Sequence, residues 1–338
     1  MSSGGGGRGA VRLDVSVVVP TYRRPALLLR CLRALLAQQF DPAAFEIIVV
    51  DDAHDERTQA LVERLAREAR PLLRYLRPQR GRGPAVARNC GWRAAGGALI
   101  AFTDDDTVPD GGWLAAGAAA LREHPDWSAA RGCVQVPRER PEAAPTDHER
   151  MTMGLETAEF VTANAFVRRA ALRAVDGFDE RFARAWREDS DLQFRLQAGA
   201  GPVGRCDTAI VAHPVRAERW GVSLRQQRNI FFDALLYKKH PRLYRQRIRA
   251  LPPWDYYLIV LLSAAAPLWL LCGGAPLGAA LLAALAVALV LRFALRRLAG
   301  ADHSPQHVLE MLATSALIPF LSVYWRLRGA VRFRVLFL

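Results

Sequence analysis

Two uncharged stretches near the C-terminus restrict what this chain can fold into more than any other feature. Residues 256–272 run for 17 positions, and residues 274–291 for another 18, without a charged side chain. Each comes close to the roughly 20 apolar residues that an α-helix needs to cross a bilayer. The turn between them, 273–276, is short and uncharged, so the pair reads as a helical hairpin. Lys238, Lys239, Arg242, Arg245, Arg247 and Arg249 precede it, and Arg292, Arg296 and Arg297 follow it. Positive flanks are held on the cytoplasmic side, which places the tip outside. The competing reading is a buried helical pair in a soluble protein. A third apolar stretch, 307–325, contains Glu310 and Pro319 and is followed by Arg326, Arg328, Arg332 and Arg334. Positive charge at both ends favours an interfacial or re-entrant helix, with a third span as the alternative.

The hairpin also explains where the charge sits. The 338 residues carry 46 basic and 33 acidic side chains, a net +13. Residues 238–338 hold 13 of the basic groups against three acidic ones, Asp255, Asp302 and Glu310, which leaves the first 237 residues nearly neutral. No zinc-finger spacing or RNA-binding motif accompanies the arginines, so nucleic acid is not an expected partner. The five cysteines stand singly, as buried hydrophobes do in a reducing compartment. The glycine-rich start, 2–9, lacks the apolar core of a secretory signal. The expected organisation is therefore a flexible tail (1–13), a large domain (14–237), a basic juxtamembrane segment (238–255), the hairpin (256–291) and a final apolar helix with a basic tail (292–338). The large domain is expected on the cytoplasmic side of the cytoplasmic membrane.

Within that domain short β-branched runs alternate with helical spacing. Residues 15–19, 45–50, 72–76 and 98–102 read as buried strands, and 25–39, 58–69 and 84–95 as helices. Such alternation implies an α/β domain with a mostly parallel, Rossmann-like sheet covered on both faces. Ligands of such sheets gather at the carboxyl ends of the strands. Those ends are polar here: Pro20-Thr21-Tyr22-Arg23, Asp51-Asp52 and Asp104-Asp105-Asp106. Carboxylates this crowded repel unless a cation, hydrogen-bond donors or protonation offsets them. A divalent cation is the simplest remedy.

These residues resemble the family 2 glycosyltransferases of GT-A fold over roughly 14–235. The landmarks VSVVVPTYRRP, EIIVVDD, GPAVARNCGWRAAGGALIAFTDDDTVP and GFDERFARAWREDSDLQFRL occur in the family's order. The resemblance implies donor binding by Pro20, Thr21, Tyr22, Asp52, Arg88 and Asn164, with Asp104 facing ribose or a metal-bound water and Asp105 in support. It implies that Asp106, with Asp104 and His213, holds Mg2+ or Mn2+ against the diphosphate. Asp189 matches the general base of inverting transfer, Glu188 either shares that role or orients the donor, and Trp186 walls the acceptor pocket. UDP- or dTDP-sugars are the favoured donors, although Ala53-His54 stands where the family has glycine-serine. Arg219-Trp220 follows Arg216 rather than the Gln of processive synthases, which favours single-sugar transfer to a lipid-linked saccharide or glycolipid. Two other readings compete. FTDDDTV fits the nucleophile motif of haloacid-dehalogenase phosphatases, but these need a core lysine, and the chain's two lysines flank the hairpin. A non-catalytic membrane scaffold has no use for four costly carboxylates (Asp52, Asp104, Asp106 and Asp189).

Overall fold

A computed structural model describes residues 13–337. The expected glycine-rich tail thus lies almost wholly outside the described residues. The described residues divide into two compact units, 13–136 with 155–214 and 137–154 with 215–337. The division falls at 214, not at the expected 237, because the segment leading into the helices packs with them.

The first unit alternates strand and helix as its pattern predicts. In order come β1 (Val15–Thr21), α1 (Pro25–Leu36), β2 (Phe45–Asp51), α2 (Glu56–Ala66), β3 (Leu72–Leu76), α3 (Pro84–Ala94), β4 (Leu99–Thr103), β5 (Val108–Pro109), α4 (Trp113–Glu123) and β6 (Ala129–Gln135). After α5 (Asp147–Thr157), which runs across the division, follow β7 (Asn164–Arg168), α6 (Arg169–Ala174), α7 (Glu188–Gly199) and β8 (Val203–Ala212). Proline at the first turn starts α1 and α3, where its missing N–H costs nothing. The Asp55 carboxylate caps α2 by accepting from the Thr58 N–H at 3.3 Å.

The sheet has the order β3-β2-β1-β4-β7-β6-β8-β5. Strands β1, β2, β3, β4, β6 and β8 share one direction, and β7 and β5 run against it. The expectation of a mostly parallel sheet therefore holds for strand direction, but the pairing is mixed. Period-two alternation divides the core. Val15, Val17, Val19, Ile47 and Val49 pack with Leu28, Leu32, Trp113 and Leu121 of α1 and α4. Val18, Ile48, Val50, Ile100 and Phe102 pack with Trp92, Leu172, Leu192 and Leu196 of α3, α6 and α7. Each fully buried aliphatic side chain contributes on the order of 2 kcal/mol. The register Thr21↔Asp51 aligns the ends of β1 and β2, and β4 ends beside them.

The second unit is helical: α8 (Val222–Gln226), a 3-10 turn (Gln227–Ile230), α9 (Phe231–Lys239), α10 (Pro241–Leu243), a π-type turn (Tyr244–Ile248), α11 (Trp254–Leu271), α12 (Pro276–Leu298) and α13 (Pro305–Phe333). Among the described residues α11, α12 and α13 are long and apolar enough to cross a membrane. Arg296 pairs with Asp255 at 2.6 Å, closing the charged end of the α11–α12 hairpin. Helix α13 differs from the hairpin. In its most apolar window 39% of the residues are buried, against 17% in the others, because it packs along α9 and the preceding turn. Gly329 permits this approach, since a Cβ there would lie 2.6 Å from the Phe231 carbonyl. Glu310, the charge inside the apolar run, accepts from the Gly221 N–H at 2.6 Å.

Candidate active site

The aspartate triplet forms a tight turn at the end of β4. Thr107 Oγ1 donates to the Asp104 carbonyl at 2.7 Å and lies 2.7 Å from Thr103 Oγ1, which in turn donates to the Ala163 carbonyl at 2.9 Å. The turn separates the Asp105 carboxylate from those of its two neighbours. Asp105 turns inward, where it accepts from Thr21 Oγ1 at 2.8 Å and from Arg24 Nη1 at 3.4 Å. Burial pushes its carboxyl up to about 6 against the opposing pull of Arg24 and Thr21. Thr21, expected to bind the donor, and Asp105, expected in support, are bonded to each other, each 3% exposed, and brace the loop.

Asp104 and Asp106 point the other way. The short β5 pairs with the end of β8 through Val108↔Ala212, which brings His213 beside the triplet. His213 Nε2 lies 3.5 Å from Asp106 Oδ1, and ligand atoms of Asp104, Asp106 and His213 all fall within 4.8 Å of one another. Two carboxylates and an imidazole suit a divalent ion such as Mn2+ or Mg2+.

Arg88 of α3 joins this group to α7. Its Nη2 donates to Asp104 Oδ1 at 2.8 Å and its Nη1 to Glu188 Oε1 at 2.9 Å, with the arginine only 2% exposed. Glu188 and Asp189 lie in the first turn of α7, and Arg187 enters the helix in the left-handed conformation (φ 74°). Burial, then the neighbouring Asp189, raises the Glu188 carboxyl well above the usual range, and Arg88 only partly offsets them. Glu188 Oε2 is buried with no hydrogen-bond partner. Desolvation raises Asp189 too, against the Ser190 N–H that donates to its Oδ1 at 2.7 Å.

Asp52 Oδ2 accepts from the Gly83 N–H at 2.9 Å, while its buried Oδ1 has no partner. Gly83 has φ +109°, and a Cβ would stand 2.8 Å from the Ala183 carbonyl, so the 83 and 183 backbones touch at a point that only glycine allows. The preceding Asp51 is structural, accepting from the Ala53 and Asp55 amides and the Tyr75 hydroxyl. His54 takes the left-handed conformation (φ 56°) at the family's glycine-serine position, held by a 3.2 Å contact to the Pro78 carbonyl. Pro20 is half-buried and Tyr22 is 48% exposed at the end of β1. Trp186 is half-buried beneath the Arg187 guanidinium, 4.6 Å from its ring centroid.

One residue expected at the donor lies inside the core. Asn164, expected near the donor sugar, is fully buried and bonded: Oδ1 accepts from Trp113 Nε1, and Nδ2 donates to the Cys133 and Ala209 carbonyls, all at 2.8 Å. Both of its N–H donors and one of the two acceptor sites on Oδ1 are thus used within the fold, and it ties β6, β8 and α4 together. Conversely, Asn89 was missed. Its Nδ2 donates to the Phe178 carbonyl and Glu180, and its Oδ1 accepts from the Phe178 N–H and Trp92 Nε1, clamping the loop before α7 onto α3. A helix-interior asparagine beside the functional Arg88 was the available signal.

Known proteins match this arrangement. The family model described as "Glycosyl transferase family 2" matches residues 16–176, and "Glycosyl transferase family group 2" matches residues 99–296. Validoxylamine A glucosyltransferase of Streptomyces hygroscopicus subsp. limoneus is 28% identical over 248 residues, covering 63% of this chain and 52% of that protein. GalNAc(5)-diNAcBac-PP-undecaprenol beta-1,3-glucosyltransferase of Campylobacter jejuni is 33% identical over 92 residues, 27% of this chain and 29% of that protein. The chain spans about half or less of the length of these curated relatives. Mannosyltransferase PcManGT from Pyrobaculum calidifontis, solved in complex with GDP-Man and Mn2+, aligns with TM-score 0.56 at 23% identity, covering 93% of this chain and 88% of that one. Staphylococcus aureus TarS aligns with TM-score 0.50 at 17% identity, covering 92% and 55%. Identities this low speak to fold, whereas the family match extends over more than half of the residues: the chain belongs to the family 2 glycosyltransferases and has their GT-A fold.

Proposed function

We propose that the protein is a membrane-anchored glycosyltransferase that moves one sugar, with inversion, from a nucleotide diphosphate donor to an acceptor at the membrane surface. The observation that carries this reading is the convergence of Asp104, Asp106 and His213 with Glu188 and Asp189, joined through Arg88. Asp52, with a buried free oxygen, accepts the imide N–H of a uracil or thymine, and Tyr22 packs against the base. Asp104, Asp106 and His213 would hold Mg2+ or Mn2+, which neutralises the diphosphate as its bond to the sugar breaks. Asp189 takes the proton of the acceptor hydroxyl as that oxygen attacks the anomeric carbon, and the bonding pair leaves with the nucleoside diphosphate. Its raised pKa suits it to this task, because a base works best when its pKa approaches the working pH. Trp186 lines the acceptor side.

The anchor follows from α11, α12 and their charges. A hairpin with arginines and lysines at both flanks holds those flanks on the cytoplasmic side, and the first unit with them. Arg297 at the end of α12 bonds Thr314 and Ser315 of α13 at 2.7 and 3.0 Å. These bonds put the middle of α13 beside the charged end of the hairpin, which supports an interfacial helix over a third span. A lipid-linked saccharide or glycolipid is the acceptor that such an anchor would meet. Relatives bearing on this include the Campylobacter enzyme, whose name specifies an undecaprenol-linked substrate, and the neighbour solved with GDP-Man and Mn2+.

The test is a melting-temperature screen of the full chain with UDP, dTDP and GDP sugars, with and without Mn2+, followed by transfer assays on polyprenyl-linked acceptors. A shift with UDP or dTDP sugars that needs the metal, and product of inverted anomeric configuration, is the expected result. Retained configuration overturns the mechanism.

A further inference from the structure

Arg326, in the helical unit, combines deep burial with the absence of any hydrogen bond or ion pair among the described residues. It is 2% exposed, and its buried Nε has no acceptor. The ring of Phe337 covers it, 4.7 Å from the guanidinium carbon. A ring over the face leaves the in-plane N–H donors unused, and arginine cannot escape by losing its proton. The Tyr257 hydroxyl, also buried and without a partner, belongs to α11, which packs against α13.

Two other charged groups of the same unit are satisfied. Arg297 donates to Asp147 at 2.7 Å, to Thr314 at 2.7 Å, to Ser315 at 3.0 Å and to Ser223 at 3.2 Å. The buried carboxylate of Asp233 accepts from the Tyr244 hydroxyl at 3.1 Å. Arg326 is thus a buried cation with no acceptor between apolar helices, and the Tyr257 hydroxyl is a second buried donor without one. An unpaired cation in such surroundings is costly, and it marks a place where an anion is supplied from outside.

We propose that Arg326 and the Tyr257 hydroxyl form a binding site for the phosphate of an amphiphile, either a membrane phospholipid headgroup or the phosphate of a lipid-linked acceptor. A guanidinium presents paired N–H donors that match two phosphate oxygens, and Phe337 behind it excludes water. The basic run from Lys238 to Arg249 concentrates anionic lipids at the same surface. The site goes beyond the transfer reaction and rests on the membrane-anchored reading.

The test uses the full chain in neutral detergent, titrated with dioctanoyl phosphatidylglycerol, farnesyl phosphate and inorganic phosphate, with thermal shift as readout. Both amphiphiles are expected to stabilise the wild type more than inorganic phosphate does, and the tighter of the two identifies the source. R326M is expected to weaken that binding roughly tenfold or more, the loss of a charge-assisted pair, with Y257F weakening it less. R326M without amphiphile is also expected to melt higher than wild type, because an unpaired buried charge is gone. Binding that survives R326M, a lower melting temperature of amphiphile-free R326M, or an equal response to inorganic phosphate overturns the proposal. Partition into vesicles is read in parallel. If both proteins enter the membrane while the wild type shows no amphiphile response, this site fails and the anchoring reading stands; if the wild type stays out, both fail.

Discussion

Arg88 Nη1 donates to Glu188 Oε1 at 2.9 Å across 100 positions of sequence, and each residue is at most 3% exposed. The same guanidinium holds Asp104, so helix α3 links the end of β4 to the start of α7. Gly83 and Asn89 extend the link, the first to Asp52 and the second to the loop before α7. Removing the cation leaves a buried carboxylate without its counter-charge, a loss of about 3–5 kcal/mol. Arg88→Ala should therefore melt well below wild type, and Arg88→Ala with Glu188→Gln should recover part of the loss. Thermal denaturation of the two single variants and the double variant measures the coupling, expected at about 0.5–3 kcal/mol.

Replacing Asp189 by asparagine keeps its size and its acceptor for the Ser190 amide but removes the site that takes the acceptor proton. The expected result is a fall in kcat of about 10²–10⁴, with donor binding by calorimetry unchanged. Asp106→Ala should do the reverse, weakening metal-dependent nucleotide binding before chemistry is reached. If Asp189→Asn turns over normally, the base lies elsewhere.

The pH dependence of stability reports on Glu188. Its folded pKa is raised, chiefly by burial and then by Asp189, so the folded protein holds this proton more tightly than the unfolded chain does. That contribution is full below the ordinary glutamate value of 4.5 and is lost as pH rises through the higher folded value. Glu188→Gln cannot ionise and escapes the loss. Its melting temperature relative to wild type should therefore climb between pH 5 and about pH 8. A difference that stays flat over that range, or falls, contradicts the raised pKa.

The parts of this fold carried by short-range pattern were legible in the sequence. Strands β1 to β4 announce themselves as short, largely apolar runs between helical patterns, and the polar residues after β1, β2 and β4 mark the crevice, because a parallel sheet places successive strand ends at one edge. What pattern does not carry is pairing between distant segments. Nothing local in residues 164–168 says that they run antiparallel to β4, or that β5 catches the end of β8 and delivers His213 to Asp106. Asn164 shows the same limit, since the resemblance gave it a ligand-facing role whereas three internal hydrogen bonds hold it in the core.

Asn164 accordingly makes a prediction that separates bracing from donor binding. Asn164→Ala leaves the Trp113 N–H and the Cys133 and Ala209 carbonyls without partners inside the core, each costing about 1–3 kcal/mol if water cannot reach it. Stability should fall steeply while KM for the donor, measured on the folded fraction at low temperature, stays within about twofold, well under the 1.4 kcal/mol that marks a tenfold change. Asn164→Asp is the sharper probe. It keeps the acceptor for Trp113 but turns two donors into a carboxylate oxygen facing the Cys133 and Ala209 carbonyls, so it should melt lower than the alanine variant at neutral pH and approach it as pH falls toward 4, where the carboxyl is protonated and can donate once. A donor-binding asparagine would show the opposite order of effects: a large rise in KM and little change in melting temperature.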